Sequence, residues 1–243
     1  MKNGSVGSGR DSDRSVKSQV LFFGALWGIA EGTLGFALHA LPRIVPLPNL
    51  AGAVMFPVAL LVMIAAIRTT GRPAAALGAA VVAASIKAST AALPAVPLLF
   101  VRNPVMAILA EGAIVSVAAS YWMGSARAVG IAAGMRSMPE RTVASVAGWA
   151  LAVSVGWRVL FLGMNFLLGI GDGILARPAS AVTRFLVLES LWNAGLIVAS
   201  VIALGRLRSI DATTRFQRYP LYPVAAPIAL LFAIGLQWGS VFL

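Results

Sequence analysis

Seven stretches of this chain, at roughly residues 20–41, 50–67, 74–92, 104–122, 143–170, 180–204 and 222–243, are predominantly apolar and almost free of charge. Crossing a bilayer as a helix takes about 20 such residues in a row. In hydrocarbon every backbone N–H and C=O must be bonded within the protein, so only helices and closed barrels can span. The apolar runs here are continuous and lack the period-two alternation of barrel strands. The sequence therefore predicts an all-α fold, a polytopic transmembrane bundle of six to seven spans. Composition agrees: the chain is 59% hydrophobic and only 11% charged, where soluble domains carry about 25% charged residues. No soluble domain is left once the spans are assigned.

The basic residues report topology. Four lie in the Gly/Ser-rich segment 1–19 (Lys2, Arg10, Arg14, Lys17), two in the next turn on that side (Arg68, Arg72), three in segment 123–142 (Arg127, Arg136, Arg141) and four in segment 205–221 (Arg206, Arg208, Arg215, Arg218). The alternate connections hold only Arg43, Arg102 and Arg177. By the positive-inside rule the N-terminus is cytoplasmic, and seven spans place the C-terminus outside. Residues 1–19 read as a disordered tail, and no cleaved signal peptide is expected. Segment 128–135 is apolar but too short to cross. The net charge of +11 is a property of these span ends, so nucleic acid is not expected as a partner.

Seven groups inside the spans carry the chemistry: Glu31, His39, Lys87, Glu111, Arg158, Arg184 and Glu189. Ionisable groups in a span are costly and usually face a cavity, a partner or a pathway. With a rise of about 1.5 Å per residue, Lys87 lies about 7–8 Å and Glu111 about 10 Å below the outer face. Glu31, Arg158 and Glu189 fall about 14–18 Å deep. His39 and Arg184 sit near the rim, where an arginine can snorkel. Polar stripes at helical spacing accompany them: Glu31, Gly35 and His39; Asn103, Ala107 and Glu111; Glu189 and Asn193; Arg158 and Asn165. The inner half of the bundle is almost wholly apolar, the profile of a pocket open to the outside.

Two readings of these charges compete. Lys87 with Glu111, and Arg158 with Glu189, are either ligand contacts or buried ion pairs that hold the helices together. Trp157 and Trp192, beside Arg158 and Glu189, are candidates to stack on a flat ligand. Gly24, Gly28 and Gly32 form a small-residue seam on the first span, suited to close helix approach by a partner or by the chain itself. The stretches Ile29-Ala30-Glu31-Gly32 and Leu109-Ala110-Glu111-Gly112 resemble one another.

Much is excluded by what the sequence lacks. There are no cysteines and one histidine, which removes disulfides, thiolates and multi-histidine metal sites. There is no zinc-protease, serine-hydrolase or phosphate-loop motif. No cofactor is expected and an enzyme is disfavoured.

The seam Gly24-x-x-x-Gly28-x-x-x-Gly32, with the segment Ile86-Lys87 … Pro94 … Pro97 … Asn103-Pro104 … Glu111-Gly112, resembles the substrate-binding (S) components of energy-coupling factor transporters, the vitamin and micronutrient importers of prokaryotes. That resemblance, over about residues 20–205, implies a six-helix core with 222–243 as an extra span. It implies a small vitamin-like solute held near the outer face, for which the residues read from the spans, Glu31, Lys87, Asn103, Glu111, Trp157, Arg158, Glu189, Trp192 and Asn193, are the candidate contacts. It further implies a transmembrane coupling subunit docked on Gly24, Gly28 and Gly32, and two ATPase subunits that power uptake. The alternative is a self-contained proton-coupled transporter using the intramembrane glutamates.

Overall fold

The computed structural model describes residues 8–40, 50–94, 96–128, 140–171, 173–207 and 221–241. They form an all-α bundle with seven helical segments long and apolar enough to cross a membrane, one for each predicted span. The chain is a multi-pass membrane protein. Its helices are α1 (Ser8–Ala30), α2 (Phe36–Ala40), α3 (Leu50–Thr70), α4 (Ala74–Ala88), α5 (Leu98–Ala128), α6 (Glu140–Leu167), α7 (Ala179–Leu186), α8 (Leu188–Leu207) and α9 (Tyr222–Gly239).

Neighbour relations give a core of six spans. α1 packs on α4 and α3, α4 on α5, α5 on α6, and α6 on α8, while α3 closes the circuit against α8 and is the most deeply buried span. α4 fits between α1 and α5 because its inner face is alanine: Ala75, Ala76, Ala79, Ala80, Ala83 and Ala84 are all buried. Gly112 of α5 completes that contact, since a Cβ there would collide with Ala80 and lie 3.3 Å from the Ala76 carbonyl oxygen. Small residues of this kind allow dispersion contact between backbones where lipid offers no hydrophobic driving force.

α9 stands outside the circuit. It packs mainly on α1, with a smaller contact to α4, and is the least buried span. Tyr222 at its start meets Phe22 and Phe23 of α1 in edge-on and tilted ring contacts. At its other end the Trp238 indole N–H donates to the Ser89 hydroxyl across 3.0 Å.

Three expectations change. The segment 1–19 was expected to be disordered, yet α1 begins at Ser8. Extending an already nucleated span costs little, and Asp13 meets Arg72 of the α3–α4 turn at 3.4 Å. That contact also joins the two most N-terminal basic segments at one end of the bundle. Arg102 and Asn103, expected before the fourth span, lie within α5, which starts six residues earlier than 104. Pro104 removes one hydrogen bond near the helix start, a loss that membrane bundles accommodate. The sixth span is two helices broken at Val187, with no proline or glycine at the break; Val187 N–H still donates to the Thr183 carbonyl across 2.8 Å.

Candidate functional site

The first span changes its winding at the predicted site. After Ala30 the helix widens into a π turn over Glu31–Gly35 before α2 resumes. Gly32 and Gly35 weaken the α-helical preference there, and the Thr33 hydroxyl donates to the Ile29 carbonyl at 2.7 Å. The Glu31 carboxylate folds over Gly35, with Oε2 3.2 Å from where a Cβ would stand on that glycine. π turns inside helices recur at functional sites. Here one presents a half-buried carboxylate within electrostatic reach of both Lys87 and Glu111.

Lys87 is in the last turn of α4, and a 3₁₀ turn (Ser89–Ala92) follows it. The Thr90 hydroxyl caps that end by donating to the Lys87 carbonyl at 2.8 Å. Glu111 lies in the middle of α5, 7% exposed. The Lys87–Glu111 ion pair, one of the two readings above, does not form: among the described residues neither side chain has a hydrogen bond or an ion-pair partner. Both remain within Coulombic range of Glu31, and Glu111 also of Arg158.

Arg158 and Glu189 behave in the opposite way. Arg158, 0% exposed, places Nη2 3.8 Å from Glu189 Oε2 and donates from Nη1 to the Ser154 carbonyl at 2.8 Å. Asn193, with its amide oriented to satisfy its surroundings, accepts from Arg158 Nη2 at 3.2 Å and donates to the Ala53 carbonyl at 3.0 Å and the Glu189 carbonyl at 3.2 Å. The Ser190 hydroxyl donates to the same Ser154 carbonyl at 3.2 Å. The guanidinium lies 4.4 Å from the Trp157 ring centre and 5.2 Å from that of Phe185. The buried charge is therefore paired, bonded and boxed by aromatic faces, tying α6, α8 and α3 together. This is the packing role weighed against ligand binding for these residues.

The remaining candidates divide. Trp157 is buried but stacks on Arg158 and lies 5.6 Å, centre to centre, from Phe56. Trp192 is 58% exposed and faces away from the core, which corrects its expected stacking on a ligand: the helical step from Asn193 turns it to the outer surface. Asn103 packs against the α6–α7 connection, its Nδ2 3.0 Å from where a Cβ would stand on Gly173, and its buried Oδ1 has no hydrogen bond. Arg184 is exposed on α7, as a snorkelling residue would be. The His39 side chain lies outside the described residues.

The glycine seam is also corrected. A Cβ on Gly24 would collide with Val82 and lie 2.7 Å from the Ala79 carbonyl oxygen, and one on Gly28 would lie 2.6 Å from Ile86 Cδ1. Gly32 faces α9 instead, where a Cβ on it would lie 3.3 Å from Gln237 N. α4 and α9 of the same chain fill the surface expected for a partner. In both alike stretches, Glu31-Gly32 and Glu111-Gly112, the glycine makes a close helix approach next to the carboxylate.

No family model, no curated protein and no solved structure matches this chain.

Sequence reasoning missed several residues of this region. Ser154, Ser190 and Phe185 complete the Arg158 cage, but serines and a phenylalanine inside apolar runs carry no signal of their own. Gln237 is 2% exposed and its Oε1 has no hydrogen-bond partner. Its signal was present, as an amide in an otherwise apolar last span.

Proposed function

We propose that this chain is a solute-capture protein of the cell membrane, the substrate-binding subunit of an importer of the energy-coupling factor type. The observation that carries the reading is the contrast inside the bundle. Arg158 and Glu189 pair with one another, whereas Lys87 and Glu111, beside the Glu31 π turn, are ionisable groups with no hydrogen-bond or ion-pair partner among the described residues. Such groups cost several kcal/mol in a span. A small zwitterionic or polar solute that meets Lys87 with an acceptor and the glutamates with a donor offsets that cost, and the cost becomes specificity. The Arg158–Glu189–Asn193 cluster then serves as a rigid floor. ATP hydrolysis falls to two partner ATPases through a transmembrane coupling subunit, because this sequence has no phosphate-binding loop. That coupling subunit docks on a surface other than the filled glycine seam.

Native mass spectrometry of the detergent-purified protein tests the reading. Wild type is expected to carry a small-molecule adduct, and Lys87→Ala and Glu111→Gln to lose it while still inserting and purifying. Full retention in both variants would remove the site.

One observation favours a second reading. Glu111, buried in the middle of α5 within Coulombic range of Glu31 and Arg158, is also placed to carry a proton. Uptake into proteoliposomes driven by a pH gradient, without ATPase subunits, would select the proton-coupled transporter.

A further inference from the structure

α9 has no place in a six-span core, yet it packs on α1, on the π turn and on the end of α4. Its last turn lies where α1 changes winding and where α4 ends. Gln237 N is 3.3 Å, and Leu236 C 3.4 Å, from the position a Cβ would take on Gly32, the neighbour of Glu31. One residue on, Trp238 Nε1 donates to the hydroxyl of Ser89, two residues beyond Lys87. These two contacts pin the end of α9 to α1 next to Glu31 and to the turn that follows Lys87. Beside them a groove of about 590 Å³ runs between the helices, lined by Gly32, Thr33 and Phe36 on one side and Leu236, Gly239 and Ser240 among others on the other.

Within this pinned turn Gln237 is buried, and its Oε1 accepts no hydrogen bond from the described residues. An amide oxygen withdrawn from water without a donor costs a few kcal/mol. A leucine of similar volume would pack the same position without that cost. Helix packing thus accounts for the burial of Gln237 but not for its amide.

We infer that Gln237 is a further solute-binding residue, its amide oxygen accepting from an N–H or O–H donor of the solute held by Glu31, Lys87 and Glu111. The inference rests on the solute-capture reading. It gives α9 a purpose: the seventh span supplies one wall of the site. With Glu31 and Glu111, Gln237 makes this end of the site rich in acceptors, which selects a solute bearing a donor group such as an amine.

The test uses the full chain, and its probe is the small-molecule fraction released from wild-type protein by heat and added back to protein stripped by detergent dialysis. Gln237→Leu is expected to keep or raise the wild-type melting temperature, because it removes an unsatisfied buried amide. It is expected to rebind the fraction at least about tenfold more weakly, the equivalent of one lost hydrogen bond. Trp238→Phe, which deletes the bond to Ser89 and leaves Gln237 in place, separates loosening of α9 from loss of the amide: it is expected to rebind normally. Normal rebinding by Gln237→Leu overturns the inference alone. Equal weakening in Trp238→Phe, or a lowered melting temperature in Gln237→Leu, makes the residue structural and also overturns it. A wild-type protein that releases nothing overturns the solute-capture reading and this inference with it.

Discussion

Replacing Glu189 by glutamine strips the counter-charge from a guanidinium that is 0% exposed. At the observed 3.8 Å separation, and with an effective dielectric constant of about 20, the lost Coulomb attraction is about 4 kcal/mol. Arg158 keeps the Ser154 carbonyl, Asn193 and the ring of Trp157, so the net cost belongs near the lower end of the 3–5 kcal/mol range for breaking a buried pair, about 3 kcal/mol. For a chain of this size that is a fall in melting temperature of about 10 °C. Arg158→Met, which removes the guanidinium that pairs with the Glu189 carboxylate, is expected to cost as much. The double variant Arg158→Met/Glu189→Leu removes both desolvation penalties together and is expected to melt within about 3 °C of wild type. Thermal unfolding in detergent, followed by tryptophan fluorescence, measures all four proteins. Single variants that shift by less than about 2 °C, or a double variant whose loss equals the sum of the singles, would refute the reasoning.

Gly112→Ala pushes a methyl group into Ala80 of α4 and is expected to destabilise by about 1–3 kcal/mol. Gly163→Ala, with nothing within 4 Å of the new Cβ, is expected to gain up to about 1 kcal/mol from helix propensity, and the same melting assay reads both. Gly28→Leu, which drives into Ile86, is expected to lower the melting temperature even without any partner present; an unchanged melting curve would reopen the seam as a free docking surface. Trp192→Phe changes only an outward-facing ring, so native mass spectrometry is expected to find the adduct retained to within about twofold, the usual limit for an exposed substitution.

The bilayer imposes one demand that can be read one residue at a time: sustained apolarity for the thickness of hydrocarbon. That is why all seven spans and the all-α class were legible. The Arg158–Glu189 pair was legible too, because two opposite charges at similar depth have few cheaper arrangements. Helix rotation was not. Spans such as α3 and α9 are apolar almost all round, so periodicity carries little information about which face turns inward. Trp192 therefore passed as a site residue when one helical step places it on the outer surface, and Gln237 passed as unremarked polarity in the last span.

From sequence alone come the spans, their number and the cost of the charges they carry, because these follow from transferring each residue into hydrocarbon. Which helix meets which depends on complementary surface shape between segments far apart in the chain. Tertiary packing therefore decided that α4 and α9 fill the Gly24–Gly32 seam, and that Arg158 finds Glu189 while Lys87 and Glu111 stay without partners among the described residues, beside the π turn at Glu31.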